Sequence, residues 1–154
     1  SVRQEYAKNS GADAVLDPAE CDVVAEVMRL TDGHGADIAF ECTGAQACFD
    51  QEVAAVHAGG TVVVTSIWEK GVSFDLNALV IPEKKIVGSI CYCGNDFDDV
   101  IRLMDEGKIP ANGFITKKVA LDDIVSEGFE TLTGPEKKKQ VKILVSANPD
   151  ELGA

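Results

Sequence analysis

The chain has 154 residues, 45% of them hydrophobic, and a formal net charge of −12. That length fits one domain or part of a larger protein, and the acidic balance disfavours nucleic acid and anionic membranes as partners. No run approaches the ~18 apolar residues of a membrane-spanning helix, and the polar start, Ser1-Val2-Arg3-Gln4-Glu5, does not read as a signal peptide.

In chain order, "RQEYAKNS" at 3–10 predicts a short helix stopped by Gly11, and "DAVLD" at 13–17 a short strand ended by Pro18. Residues 20–31 carry Val23, Val24, Val27, Met28 and Leu30 at helical spacing. After the turn "DGHG", the apolar run "ADIAFEC" at 36–42 predicts a strand buried on both faces. Residues 45–58 predict a helix stopped by Gly59-Gly60, and "TVVVTSI" at 61–67 a second buried strand. An irregular loop over 68–83 precedes the strand "KKIVGSICY" at 84–92 and a helix over 96–106, capped by Asn95 or Asp96. This alternation argues for an α/β, mostly parallel sheet with helices on both faces. Beyond Pro110 the texture changes. "FITKKVAL" at 114–121 alternates, 121–132 has a helical apolar face, "GPEKKKQ" is a charged turn, and "VKILV" at 141–145 is a last strand before a frayed end over the last nine residues.

The five cysteines, Cys21, Cys42, Cys48, Cys91 and Cys93, are odd in number and have no C-x-x-C spacing. They read as reduced thiols of a cytoplasmic protein rather than as a disulfide framework or a zinc site. His34 and His57 lie far apart in sequence and read as structural or exposed residues. No residue is assigned a catalytic or metal-binding role.

The segments "GADAVLDP" at 11–18, "TDGHGADIAFECTG" at 31–44, "AGGTVVV" at 58–64, "KKIVGSICY", "RLMDEGKI" at 102–109 and "QVKILV" at 140–145 together resemble the C-terminal part of zinc-dependent medium-chain alcohol dehydrogenases. The polyol and 2,3-butanediol branch is the nearest in pattern. The resemblance implies an incomplete doubly wound Rossmann sheet lacking its first two strands, with a short α+β C-terminal return segment. It implies a partial nucleotide-binding domain over 1–112 and a segment over 113–154 returning to a catalytic domain. That domain, its zinc ligands, the G-x-G-x-x-G loop and the ribose-binding acid would all precede Ser1. The implied cofactors of the parent protein are NAD or NADP, and zinc. The implied partners are a small alcohol or ketone and further copies of the chain, with no nucleic acid and no membrane.

In an open parallel sheet, ligands bind at the carboxyl ends of strands. The ends here are Asp17-Pro18, Cys42-Thr43-Gly44, Ser66-Ile67-Trp68 and Ile90-Cys91-Tyr92. The resemblance places Cys42, Thr43 and Gly44 against the cofactor, although a plain strand-to-helix turn explains them too. It places Ser66 and Ile67 where backbone groups hold the carboxamide, with Trp68 covering the ring or simply packing. Ile90, Cys91 and Tyr92 line the cleft or a subunit edge. Arg3 matches a position that bonds the adenosine ribose, and Lys142 one that reaches the pyrophosphate; each has a solvated-charge alternative.

The implied parent reaction is hydride transfer between a nicotinamide and a secondary alcohol or vicinal diol, with the chain alone inactive and a poor cofactor binder. A zinc-independent quinone or enoyl reductase, a methyltransferase sheet and a non-enzymatic interaction module are the competing readings.

Overall fold

The computed structural model describes residues 1–110, 113–148 and 150. They fall into two compact units: Leu16–Tyr92, and Ser1–Val15 together with the described residues from Cys93 onward. Among the described residues no helix is long and apolar enough to cross a membrane.

The first unit is a three-stranded parallel sheet, β1 (Ala36–Glu41), β2 (Val56–Val64) and β3 (Lys85–Gly88), in the order β1-β2-β3. Consecutive strands are therefore neighbours. Ile38 pairs with Thr61 and Glu41 with Val64, while Val62 pairs with Ile86. Two bonds carry the pairing past the strand ends: Thr65 N–H donates to the Glu41 carbonyl at 2.9 Å and Ser89 N–H to the Val64 carbonyl at 2.9 Å.

Helix α2 (Val23–Leu30) starts at Asp22, whose side chain accepts from the Ala25 amide. This satisfies one of the donors that every helix start leaves open. Helix α3 (Gln46–Ala55) joins β1 to β2 and supplies Phe49 and Val53 to the core, where they meet Val56 and Val62. Trp68 and Phe74 meet Phe49 edge-on, at ring centroid distances of 6.0 and 5.3 Å, a favoured aromatic geometry. The strand pleat sends Ala39 and Glu41 toward this core and Ile38 and Phe40 the other way. Ile38 and Phe40 are 54% and 62% exposed, so β1 has one covered face and one bare face.

In the second unit, α1 (Val2–Asn9) is capped by Ser1, whose hydroxyl accepts from the Gln4 amide. Helix α5 (Gly94–Asp105) follows Cys93, whose amide donates to Asp96 Oδ2 at 2.7 Å. Strands β4 (Ile115–Ala120) and β5 (Lys142–Ser146) form a parallel pair with Val119, which is buried, opposite Val145. Parallel neighbours need a long crossover. Here it runs through a 3-10 turn (Leu121–Asp123), a π turn (Ile124–Phe129), α6 (Glu130–Thr133) and a second 3-10 turn (Pro135–Lys139).

Several sequence expectations are corrected. Residues 13–17 form no strand: Asp17 instead makes a turn, its Oδ1 accepting from Ala19 and its carbonyl from Glu20 and Cys21. A parallel strand is stable only beside a neighbour, and "DAVLD" pairs with none. The 45–58 helix ends at Ala55, and Gly59-Gly60 lies within β2, in an irregular stretch between Val56 and Thr61. The 68–83 loop contains a short helix, α4 (Asn77–Val80). The cap of α5 is Cys93 rather than Asn95 or Asp96, and the 121–132 helix is broken into three kinds of turn around the buried Gly128. Most of the expected fraying over 146–154 falls outside the described residues.

Phe49→Ala is expected to lower unfolding free energy by about 3–5 kcal/mol, read as a fall in the urea midpoint at constant slope. A loss within about 0.5 kcal/mol, the range of surface substitutions, would remove Phe49 from the centre of the core.

Candidate functional site

The carboxyl ends of β1 and β2 are organised around one buried acid. Glu41, the last residue of β1, is 0% exposed. Its Oε1 accepts from the Thr43 amide at 2.7 Å, the Thr43 hydroxyl at 2.6 Å and the Gly44 amide at 2.9 Å. Its Oε2 accepts from the Ser66 hydroxyl across the sheet. Burial alone would push this carboxyl up. The bonds from Ser66, Thr43 and Gly44 outweigh burial and hold its pKa at about 2. The carboxylate is thus charged at neutral pH and fixes the turn after β1 to the turn after β2.

Behind it, Glu52 on α3 is pushed up to about 7 by burial and by the negative charge of Glu41. Its Oε2 is buried without a hydrogen-bond partner among the described residues, which suits a protonated carboxyl better than a carboxylate.

A recess of about 450 Å³ opens over these turns, lined by Thr43, Gly44, Gln46, Ile67, Trp68 and Lys70 among others. Gly44 has φ +67°, and a Cβ there would sit 3.1 Å from the Ile67 carbonyl oxygen. The two turns approach this closely only because position 44 carries no side chain. Gln46 fastens the rim: its Oε1 accepts from the Ser73 amide at 2.9 Å and its Nε2 donates to the Ser73 carbonyl at 2.8 Å.

Of the residues singled out from the sequence, Cys42, Thr43, Gly44, Ser66 and Ile67 come together here. The Cys42 thiol is exposed and accepts from the Thr65 hydroxyl at 3.3 Å. Trp68 both lines the recess and packs on Phe49. Ile90, Cys91 and Tyr92 follow β3 and are exposed, Cys91 at φ +55°, a backbone region that residues with a Cβ rarely adopt. Arg3 and Lys142 belong to the other unit. Arg3 is exposed on α1 and lines a recess of about 570 Å³ with Ser1, Leu132, Lys137 and Lys138. Lys142 is the exposed first residue of β5. All five cysteines are free. Glu41 itself escaped the sequence reading, although an acid ending an apolar run and followed by Thr-Gly is a legible signal for a turn-binding carboxylate.

Residues 1–106 match the zinc-binding dehydrogenase family, and the chain belongs to that family. It is 43% identical over 148 residues to (R,R)-butanediol dehydrogenase of Neisseria gonorrhoeae, a match covering 96% of this chain and 41% of that protein. The crystal structure of 2R,3R-butanediol dehydrogenase from Bacillus subtilis superposes with a TM-score of 0.85 at 41% identity, over 96% of this chain and 41% of that one. A zinc-binding dehydrogenase from Sinorhizobium meliloti 1021, bound to NADP, superposes with a TM-score of 0.78 at 25% identity, over 94% of this chain and 42% of that one. The chain thus spans about 41% of the length of the curated relatives it matches first. The Rossmann-like α/β class expected from the sequence is the class observed.

Two outcomes follow from the paired acids. Glu41→Gln removes a charged acceptor and is expected to cost about 1.5–3 kcal/mol in urea unfolding at pH 7. The second outcome is a pH profile. The folded pKa of Glu41 lies below its ordinary 4.5, so its contribution is present above that value and lost as pH falls toward 2. The folded pKa of Glu52 lies above 4.5, so its contribution is present below that value and lost as pH rises through about 7. Glu52→Gln should therefore be more stable than wild type at pH 8, with the gap closing toward pH 4.5. A constant gap across that range would show that Glu52 is not protonated in the folded chain.

Proposed function

We propose that this member of the zinc-binding dehydrogenase family forms one wall of a nicotinamide-cofactor cleft in an NAD- or NADP-dependent alcohol dehydrogenase. The observation that carries the proposal is the recess at the carboxyl ends of two parallel strands, where Gly44 lets backbone meet backbone. That is where an open parallel sheet offers its ligand site. The geometry fits a flat heteroaromatic ring: Trp68 and Ile67 give apolar surface, and the turn backbones give fixed donors and acceptors.

When bound, the cofactor supplies the hydride-exchanging ring. The chain's own residues do the rest. Thr43, Gly44, Ser66 and Ile67 shape the wall, and Glu41 keeps both turns in place so that little reorganisation accompanies binding. Arg3 and Lys142 are proposed cationic contacts to the ribose and diphosphate, and Ile90, Cys91 and Tyr92 the remaining cleft edge. The recess lining contains no cysteine or histidine. It offers no zinc donor set, and no step is assigned to zinc through these residues.

The proposed substrates of the parent enzyme are a secondary alcohol or vicinal diol and the matching ketone, in the cytoplasm. A homo-oligomer is proposed on the bare face of β1, because contiguous exposed apolar surface on an edge strand marks an association site.

No G-x-G-x-x-G loop is present in this sequence, so the backbone cradle for the diphosphate is missing from it. The chain should therefore bind NADH no tighter than the millimolar range in a fluorescence titration. Amide NMR shifts on adding NADH should concentrate at Thr43, Gly44, Ile67 and Trp68, and Gly44→Val should abolish them. Shifts confined to other residues, or micromolar affinity unaffected by Gly44→Val, would refute this assignment of the wall.

A further inference from the structure

The opposite end of the same sheet gathers three side chains that can ligate metal. His34, in the turn before β1, and His57, in β2, stack with ring centroids 4.4 Å apart and planes at 30°. Asp37, the second residue of β1, places Oδ1 3.1 Å from His57 Nε2 and 3.8 Å from His34 Nε2. One ligand atom from each of the three lies within 4.8 Å of the others.

The meeting is built into the backbone. Between the pairs Ala36–Val56 and Ile38–Thr61, β2 carries more residues than β1, and His57 sits in that excess. Gly35, at φ +92°, brings the turn against it: a Cβ there would lie 2.9 Å from the Ala55 carbonyl oxygen and 3.1 Å from the His57 amide nitrogen. Any other residue at 35 would hold His34 away from His57.

The hydrogen bonding orients the His57 ring toward Asp37. His57 Nδ1 meets the Ala58 carbonyl oxygen. A carbonyl only accepts, so the network assigns the proton to Nδ1. His57 Nε2 is left facing the Asp37 carboxylate oxygen at 3.1 Å, a pairing that a ring proton or a shared metal ion satisfies. Metal-binding histidines are commonly oriented in this way, with the remote N–H on a backbone carbonyl. Ligand atoms about 2.0–2.2 Å from a tetrahedral zinc ion lie about 3.3 Å from one another. The two separations to Asp37 Oδ1 bracket that value.

We infer that His34, Asp37 and His57 bind one divalent ion of the zinc type, with water completing its shell. The donors are borderline nitrogen and hard oxygen, which favours zinc, nickel or cobalt over calcium or magnesium. The ion would clip the Asp32–Gly35 turn to the start of β2, at the amino ends of the strands, away from the cofactor recess at their carboxyl ends.

The test is titration of the metal-stripped chain with cobalt(II), followed by displacement with zinc. One equivalent should give visible d–d bands without the near-ultraviolet charge transfer of a thiolate. Asp37→Asn and His34→Gln change side chains that are 84% and 64% exposed, so both variants should keep the wild-type far-ultraviolet spectrum. Each should weaken cobalt binding by about tenfold or more, since loss of even an outer partner costs that much. Absence of binding, cobalt held through thiolates, or unchanged affinity in both folded variants would overturn the inference.

Discussion

The Glu41 carboxylate holds the working end of the sheet together. A charge with no solvent access is tolerated only when its lone pairs are filled. Here the donors come from the turn after β1 and from Ser66 after β2. The need to satisfy one anion therefore dictates the path of two loops. It also creates a gradient within the core, because the same charge discourages ionisation of Glu52. One acid is kept charged, and its neighbour on the adjoining helix holds its proton up to about pH 7.

The sheet was legible because its strands are short, β-branched apolar runs between turn residues. "ADIAFEC" became β1 and the first four residues of "TVVVTSI" the second half of β2, but β1 is not buried on both faces as expected, since Ile38 and Phe40 lie on a bare side. The misses share a cause. Whether "DAVLD" pairs depends on a neighbour that local sequence does not encode. Where α3 stops depends on Val56 being drawn into the core beside Ala36, which overrides the helical pattern up to residue 58. Glycines at 59 and 60 read as a stop signal but serve an irregularity within the strand instead.

The candidate site was legible in part. Strand polarity located Cys42, Thr43, Gly44, Ser66 and Ile67, since carboxyl ends follow from chain direction alone. The histidines were not connected: His34 and His57 meet only because a glycine turn and an irregular strand start coincide in space. In the other unit, the alternating "FITKKVAL" and the closing "VKILV" were visible as strands, and their parallel pairing was not. A crossover broken into 3-10, π and α turns has no single period to detect.

The strand order β1-β2-β3 also bears on how the sheet is made. Each strand pairs with the one synthesised just before it, so every closure spans a single crossover and the loop entropy stays small. Parallel pairing must wait for each crossover to close, so the sheet is built strand by strand in chain order, β2 against β1 and β3 against β2.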